Sequence, residues 1–522
     1  MKKFFLIVLI WGVILGGGAA AYYYLFYNKP ADGKVADGGD ADKPPPPPQP
    51  PHAGSSKLRL ALDSFSGYCI FRSDEFKKKL ADQGIDYEFV DDNADYPARM
   101  KTVASGDTPL AVFTIDALVN NTPSSGELPA VIVMAIDETR GADAMIGLAP
   151  GTPDVDSLNR KDQKIVLVEG SPSETLARVV RSQFKLPDLP MLKKDYLIAA
   201  KKAQIDDVYD QFRAARPNEH KAFVLWEPFV SKALKERPES RVLVDSSKFK
   251  GYIVDVLVAQ QAWLRDHPAE ARVVVQSYLE VLHAHQAAGG MAPLVLSDAH
   301  DKLNEKLSDD EAASIAKGIW WKNTLENYAH FGVLAPSDAK GLQPLEDMIR
   351  NITEVLNQTR QPGEPEVGVA RPDKLYDDSV LRALYQQRPP FMIGQETIWV
   401  EPTATALGDA DWASLQRVGL FKEDPIEFRR ASDQFSDDND AQALLSDVAD
   451  KMRRWPQYYL RVEGNTLGDD NEENRQLVKD RASAVKNFLV KNLSVDENRI
   501  RAVGNKPGQG KEVDFVMLQK AP

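Results

Sequence analysis

Leu58-Arg59-Leu60-Ala61-Leu62, followed by the polar loop Asp63–Arg72 and the stretch Ser73–Gln83, is the segment from which the fold can be read. Its first five residues carry the period-two pattern of a half-buried strand. Ser73 then precedes Asp74 and Glu75, an N-cap with an acidic first turn, so a helix runs to Gln83. The same order returns downstream as a strand at Asp86–Val90 and a helix at Tyr96–Ser105. Short apolar runs follow at Pro109–Phe113, Ala130–Ala135, Met145–Leu148, Lys164–Val168, Ala222–Leu225 and Arg241–Val244, with helical stretches between most of them. That alternation predicts parallel α/β architecture, with ligands received on the loops that follow the strands.

Further along, residues 255–332 read as mainly helical, as in Ala262–Ala284 and Ser308–Trp321. The stretch 336–411 is looser, and Gln361-Pro362-Gly363-Glu364-Pro365 marks an exposed connection. A second compact unit, 412–522, begins at Trp412. Its predicted elements are a strand at Pro425–Phe428, a helix burying Ala441, Leu445, Val448 and Met452, and a strand at Tyr458–Glu463. A helix at Asn474–Lys491 and strands at Arg499–Gly504 and Val513–Leu518 complete a small α+β domain.

The 522 residues carry a formal charge of −13, which argues against a nucleic-acid partner, since phosphate neutralisation needs a basic surface. A single cysteine, Cys69, excludes an intramolecular disulfide and any zinc site built on two or four thiolates. His283 and His285 are two apart and do not share a helix face, so neither a metal nor a cofactor is expected. Lys2-Lys3 precede an uncharged run from Phe4 to Asn28, long enough to cross a bilayer. Residues 1–28 are therefore expected to be an inner-membrane anchor with the remainder in the periplasm of a Gram-negative bacterium, Tyr22, Tyr23, Tyr24 and Tyr27 forming an interfacial belt. Ala19-Ala20-Ala21 also satisfies a signal-peptide cleavage pattern, the alternative for this segment. Residues 29–56, with Pro44–Pro48 and Pro50-Pro51, read as a stiff polyproline spacer.

Residues 57–335 hold six motifs in order: Ser66-Gly67-Tyr68, then SGDTPLAVFTIDAL (105–118), DETRGADAMIGL (137–148), VEGSPSETL (168–176), AFVLWEPFVSKAL (222–234) and DVLVAQQAWLRDHPAEA (255–271). Through them the chain resembles the periplasmic solute-binding proteins of the nitrate/sulfonate/taurine (thiamine-precursor-like) ABC importer class. The resemblance implies a two-lobed α/β module that binds a small-molecule solute and partners an ABC permease. The residues themselves agree. Gly170-Ser171-Pro172-Ser173 opens a helix after a strand, where backbone N–H groups and the Ser171 and Ser173 hydroxyls can receive a polar or anionic group. Ser66, Tyr68, Thr114, Asp116, Asp137 and Gly141 fall on other loops after strands, and Trp226 and Glu227 offer a stacking face and an acceptor. Arg72 and Arg140 would suit an anion, whereas Asp63, Asp116, Asp137 and Asp143 would suit an amine, so charge alone does not choose the solute. The bland alternative for any one of these residues is a helix cap or a core side chain.

Residues 412–518 resemble the OmpA-like, peptidoglycan-associated C-terminal domain through PIEFRRASDQFSDDN, YYLRVEGNT and NRQLVKDRASAVKNFL. The resemblance implies a site in which an Asp and a helix Arg hold the zwitterionic end of the peptidoglycan stem peptide, and carries over Asn474 and Arg481. The Asp position after Gly464-Asn465-Thr466 is Leu467, and the family Ser is Val478. The sequence thus predicts a membrane-anchored, non-enzymatic solute-binding protein of transport or sensing, attached to peptidoglycan through its C-terminal domain. The alternative is an envelope scaffold whose receptor-like module binds protein; no nucleophile–base pair supports catalysis.

Overall fold

A computed structural model of the chain describes residues 57–520 apart from 123–127, 190–204, 361–365, 368–370, 390–395, 399–403, 509 and 511–512. The N-terminal run, the proline spacer and the connection at 361–365 lie outside the described residues. Among the described residues no helix is long and apolar enough to cross a membrane.

The described strands are β1 (Leu58–Leu62), β2 (Tyr87–Asp91), β3 (Leu110–Thr114), β4 (Ala130–Thr139), β5 (Asp143–Leu148), β6 (Lys164–Val166) and β7 (Lys221–Trp226). They continue as β8 (Ser240–Asp245), β9 (Val254–Gln260), β10 (Ile319–Trp321), β11 (Gln416–Leu420), β12 (Tyr459–Gly464), β13 (Ile500–Gly504) and β14 (Val513–Gln519). Three sheets result, in the orders β10-β4-β9-β3-β1-β2, β6-β7-β5-β8 and β11-β14-β12-β13.

The first two sheets are the centres of two α/β lobes, joined by two crossings, from β4 into β5 and from β8 into β9. Neither sheet is purely parallel. β1 runs parallel to β2 and β3, but β9 lies antiparallel between β3 and β4, and β5 is antiparallel to β7 and β8. A chain that leaves one sheet for another and returns reverses its direction at the return, which short-range alternation cannot reveal.

Local signals act as expected where they are strong. Ser73 caps the helix Asp74–Asp82 by accepting from the Phe76 N–H at 3.1 Å. The acidic run at 437–440 starts a helix too, with Asp437 accepting from the N–H groups of Asn439 and Asp440. Val254-Asp255-Val256-Leu257-Val258-Ala259, in a region read as mainly helical, is the central strand β9, covered on both faces. Ile319-Trp320-Trp321, expected to end a helix, instead pairs as β10 with β4. Pro425–Phe428, expected as a strand, keeps only a bridge between Phe428 and Phe435. The edge strand there is β11, which precedes it.

Part of the stretch 336–411 is folded onto the α/β body. Leu345, Ile349, Ile352 and Leu356 on the helix Leu345–Gln358, and Val380, Leu381 and Leu384 on Ser379–Gln387, are buried in the main core. The C-terminal sheet packs under the helices Asp438–Arg454 and Glu472–Lys491 around Leu445, Val448, Leu460, Val462, Val485 and Leu489.

This C-terminal domain docks on the second lobe and on the return crossing. Phe184 lies between Phe421 and Trp455, and the Lys185 N–H donates to the Leu420 carbonyl at 2.8 Å. Phe249 meets Trp455 at 5.2 Å, and the Lys250 N–H donates to the Arg454 carbonyl at 2.9 Å.

Candidate functional site

The strand registers and the two crossings bring one edge of each α/β sheet to face the other. On the first lobe that edge carries Asp63 after β1, Thr114 and Asp116 after β3, Asp137 near the end of β4 and Asp255 at the start of β9. Asp255 stands directly opposite Thr114 on one side and Asp137 on the other. On the second lobe the edge carries Asp143 at the start of β5, opposite Trp226 at the end of β7, and the Ser171–Ser173 turn after β6.

The lobes are latched across this cleft. Thr175, on the helix Pro172–Gln183 of the second lobe, donates its hydroxyl to Asp116 Oδ2, on the first turn of Ile115–Asn121 of the first lobe. The two crossings are pinned together by Ser246, whose Oγ accepts from the Gly141 N–H at 2.8 Å and the Asp143 N–H at 3.3 Å. Gly141 sits at φ +104, backbone that L side chains rarely adopt, so its place in the first crossing calls for glycine.

The short turn Ser66–Tyr68 closes the first-lobe edge. Tyr68 donates its hydroxyl to Asp255 Oδ1, and Trp321 Nε1 donates to the Gly67 carbonyl at 3.0 Å. A Cβ on Gly67 would lie 2.5 Å from Asp137 Oδ2, so glycine is what lets this turn reach the carboxylate. Gly67→Ala is expected to cost about 1–3 kcal/mol through overpacking; urea unfolding of the variant checks this.

Asp116, Asp137, Asp143 and Asp255 are all buried, and among the described residues none forms an ion pair. Burial pushes Asp143 up to about 7, with the charges of Asp116 and Glu227 adding to it. Burial likewise pushes Asp137 up to about 7, and burial with the facing Asp137 holds Asp255 well above the carboxylate range. Asp116 is raised by the same cause.

The nearby cations are committed elsewhere. Arg72 grips Asp298, with Nε to Oδ1 at 2.9 Å, and donates to the Asp63 and Phe65 carbonyls. Arg99 joins Asp63 at 3.0 Å to Asp92 and is fully buried. Lys322 holds Glu138 at 2.7 Å, and burial brings its ammonium down to about 8. Arg140 lies over the Trp320 ring at 3.9 Å.

The remaining expected residues take mixed places. Ser171 caps its helix, accepting from the Ser173 N–H at 3.2 Å, while the Gly170 N–H donates to Glu174 at 2.8 Å. Those donors are satisfied within the turn, and Glu174 occupies the end where an anion would be received. The Ser173 hydroxyl is fully buried without a partner. Glu227 accepts from the Ser231 N–H and hydroxyl at the start of Phe229–Glu236, a capping role, and Trp226 remains half-buried. Ser66 lies half-buried on its turn. Asp255 was not among the expected residues. A charged residue at the head of a continuous Val/Leu/Ala run was its only signal.

In the C-terminal domain Arg481 is largely buried on the helix Glu472–Lys491 and donates to the carbonyls of Ser432 at 3.0 Å and Asn465 at 3.2 Å. Its guanidinium lies over the Phe428 ring at 4.9 Å, and it has no carboxylate partner among the described residues. Asn474, in the first turn of the same helix, donates to the Asp469 carbonyl at 2.8 Å. Leu467 is 69% exposed, a large apolar side chain in solvent, and Asp470 is occupied by Arg475 at 2.6 Å.

Two α/β lobes joined by two crossings, with facing sheet edges, thus precede the small C-terminal domain. Residues 428–513 match the model of the OmpA family. The ligand-binding component of an ABC-type import system from Staphylococcus aureus, with zinc bound, is similar at 15% identity and TM-score 0.44 over 63% of this chain and 98% of that one. The periplasmic nitrate-binding protein of Synechocystis PCC 6803 is similar at 12% identity and TM-score 0.46, covering 64% of this chain and 89% of that one. The alkanesulfonate-binding protein of Xanthomonas axonopodis pv. citri, bound to MOPS, is similar at 12% and TM-score 0.43, over 59% and 95%. No curated protein sequence matches the chain.

Proposed function

We propose that the chain is an envelope receptor that holds a small solute between its α/β lobes and engages peptidoglycan through its OmpA domain, with residues 1–28 as its inner-membrane anchor. The observation that carries this reading is the Asp116–Thr175 hydrogen bond between the lobes. It joins the helix Pro172–Gln183 of one lobe to the helix Ile115–Asn121 of the other, the kind of contact a solute-gated closure would use. A receptor tethered in this way serves an ABC permease or a sensor. Tyr68, Thr114, Asp116, Asp137, Ser173 and Trp226 are the residues assigned to the solute; Ser66, Gly141, Ser171 and Glu227 shape the turns that present them.

The test is thermal denaturation of the full-length chain in detergent against a panel of oxyanions, sulfonates, amines and pyrimidines. A solute at about 100 times its Kd adds roughly 2.7 kcal/mol, which is read as a rise in Tm. If no member of the panel moves Tm, the receptor reading gives way to that of an envelope scaffold.

For the C-terminal domain, the guanidinium of Arg481 is the group that would meet the stem-peptide carboxylate. Arg481→Ala is expected to weaken co-sedimentation with purified sacculi about tenfold or more, the size of a lost charge-assisted bond. Leu467→Asp, which restores the family carboxylate, is expected to strengthen it. Sacculus binding that is equal in wild type and Arg481→Ala would remove this assignment.

A further inference from the structure

We propose that the solute held in this cleft is an organic cation, an amine or amidinium bearing several N–H groups, rather than an oxyanion; the inference rests on the receptor reading above. Its first support is the charge inventory. Among the described residues Asp116, Asp137, Asp143 and Asp255, on the facing edges, have no ion-pair partner, while Arg72, Arg99 and Lys322 each pair with a carboxylate of their own and Arg140 lies over the Trp320 ring. Burial is met in the solute-free protein by protonation of these carboxyls, and a cationic ligand would replace those protons with its own charge.

The second support is the hydrogen-bond inventory, which is independent of charge. Asp116 gives Oδ2 to Thr175, and the Thr114 and Thr139 hydroxyls lie against Asp116 and Asp143. The Ser173 hydroxyl is buried with no hydrogen-bond partner, and the Asp137 oxygens, which face Asp255, have no hydroxyl, amide or cationic donor. These groups are acceptors, or hydroxyls that can turn to accept. An ammonium brings three donors and a guanidinium five, whereas an oxyanion brings none. Trp226, half-buried and opposite Asp143 in the β5–β7 register, offers the ring face that favours a desolvated cation.

A metal ion fits less well. Among the described residues no three His, Cys, Asp or Glu side chains are placed to hold one ion. The four carboxylates come from β4, β5, β9 and the helix after β3.

The same geometry sets a pH dependence. Asp137 faces Asp255 on β9, Asp143 on β5, and Lys322 and Glu138 beside β10; Tyr68 and Asp63 reach Asp255 from the loops of the first lobe, and Tyr278 approaches from the helix Pro268–Ala287. A cation binds the ionised carboxylates, so ligation must expel the protons that burial retains on Asp137 and Asp143. With both groups titrating at about 7, affinity is expected to rise about tenfold between pH 6 and pH 8 for each proton released.

The experiment is isothermal titration calorimetry and thermal denaturation of the full-length chain with putrescine, agmatine and choline. Nitrate, phosphate and methanesulfonate form a second set, and magnesium and zinc chloride a third. Saturable binding within the first set, tighter at pH 8 than at pH 6 with proton release, and weakened at least tenfold in Asp137→Asn, is the expected result. Asp116→Asn, at a second position, is expected to weaken binding as well. Binding of an anion or a metal without any amine overturns the cation assignment and leaves the receptor reading standing. Silence from all three sets overturns both. Amine binding that is indifferent to pH and to both variants also overturns the proposal.

Discussion

Asp143→Asn is expected to make the solute-free protein more stable at pH 8 and to leave it unchanged at pH 4. Asp143 is buried at the head of β5, and burial, reinforced by Asp116 and Glu227, pushes its carboxyl up to about 7 from an ordinary value near 4. Between those two values the folded protein holds a proton that the unfolded chain has released. Stability therefore falls as pH rises from about 4 to about 7, and the whole cost is present above 7. An amide of the same shape has no charge to bury. The gain at pH 8 is on the order of 2–4 kcal/mol, read as an increase in urea midpoint with unchanged slope. The same substitution is expected to reduce binding of a cationic solute. A variant that is stabilised and deficient in binding identifies the carboxylate as strain kept for function. Destabilisation at pH 8 would show instead that Asp143 is held by partners that outweigh its desolvation.

The other large effect is expected at Trp455, which ends the helix Asp438–Arg454 and is fully buried. Its ring meets Phe184 edge-on at 5.6 Å, Phe249 at 5.2 Å, and stacks on Tyr458 at 5.3 Å. The first two belong to the second lobe and to the crossing between lobes, the third to the OmpA domain itself. Trp455→Ala removes the one side chain common to all three, at a cost of about 3–5 kcal/mol. Calorimetry of the wild type is expected to show the α/β module and the OmpA domain melting together. In Trp455→Ala the OmpA domain is expected to melt first as a separate transition. A single transition shifted down in temperature would place the whole effect inside one core, and the docking would then carry little energy. The backbone bonds Lys185–Leu420, Lys422–Gln183 and Lys250–Arg454 remain in the variant. They are exposed to water once the aromatic contact is lost, and each is worth only about 1 kcal/mol.

Much of the architecture was legible from residues close in the chain. The period of Leu58–Leu62, the Ser73 cap and the apolar stripe Ala441/Leu445/Val448/Met452 each specify an element by short-range chemistry. So does the order of strand, loop and helix that brings Asp63, Asp116 and Asp137 to one sheet edge. Other features depend on partners that no local pattern names. β9 lies in a region read as mainly helical, because an apolar run takes either form until β3 and β4 occupy its two edges. With β9 comes Asp255, which acquires meaning only opposite Asp137 and Thr114.

The sign of the cleft divides in the same way. Composition places arginines and aspartates alike on the cleft loops, because side-chain type is a property of the sequence. Which of them stays uncompensated is a property of contacts: Arg72 finds Asp298 226 residues away, Lys322 finds Glu138 184 residues away, and Thr175 reaches Asp116 across 59. The sequence by itself determined most of the elements and the carboxylates Asp63, Asp116 and Asp137, since these follow from backbone and side-chain preferences within a few residues. Only the tertiary structure decided which charges cancel and which remain, because electrostatic compensation in a dry interior depends on distance in space.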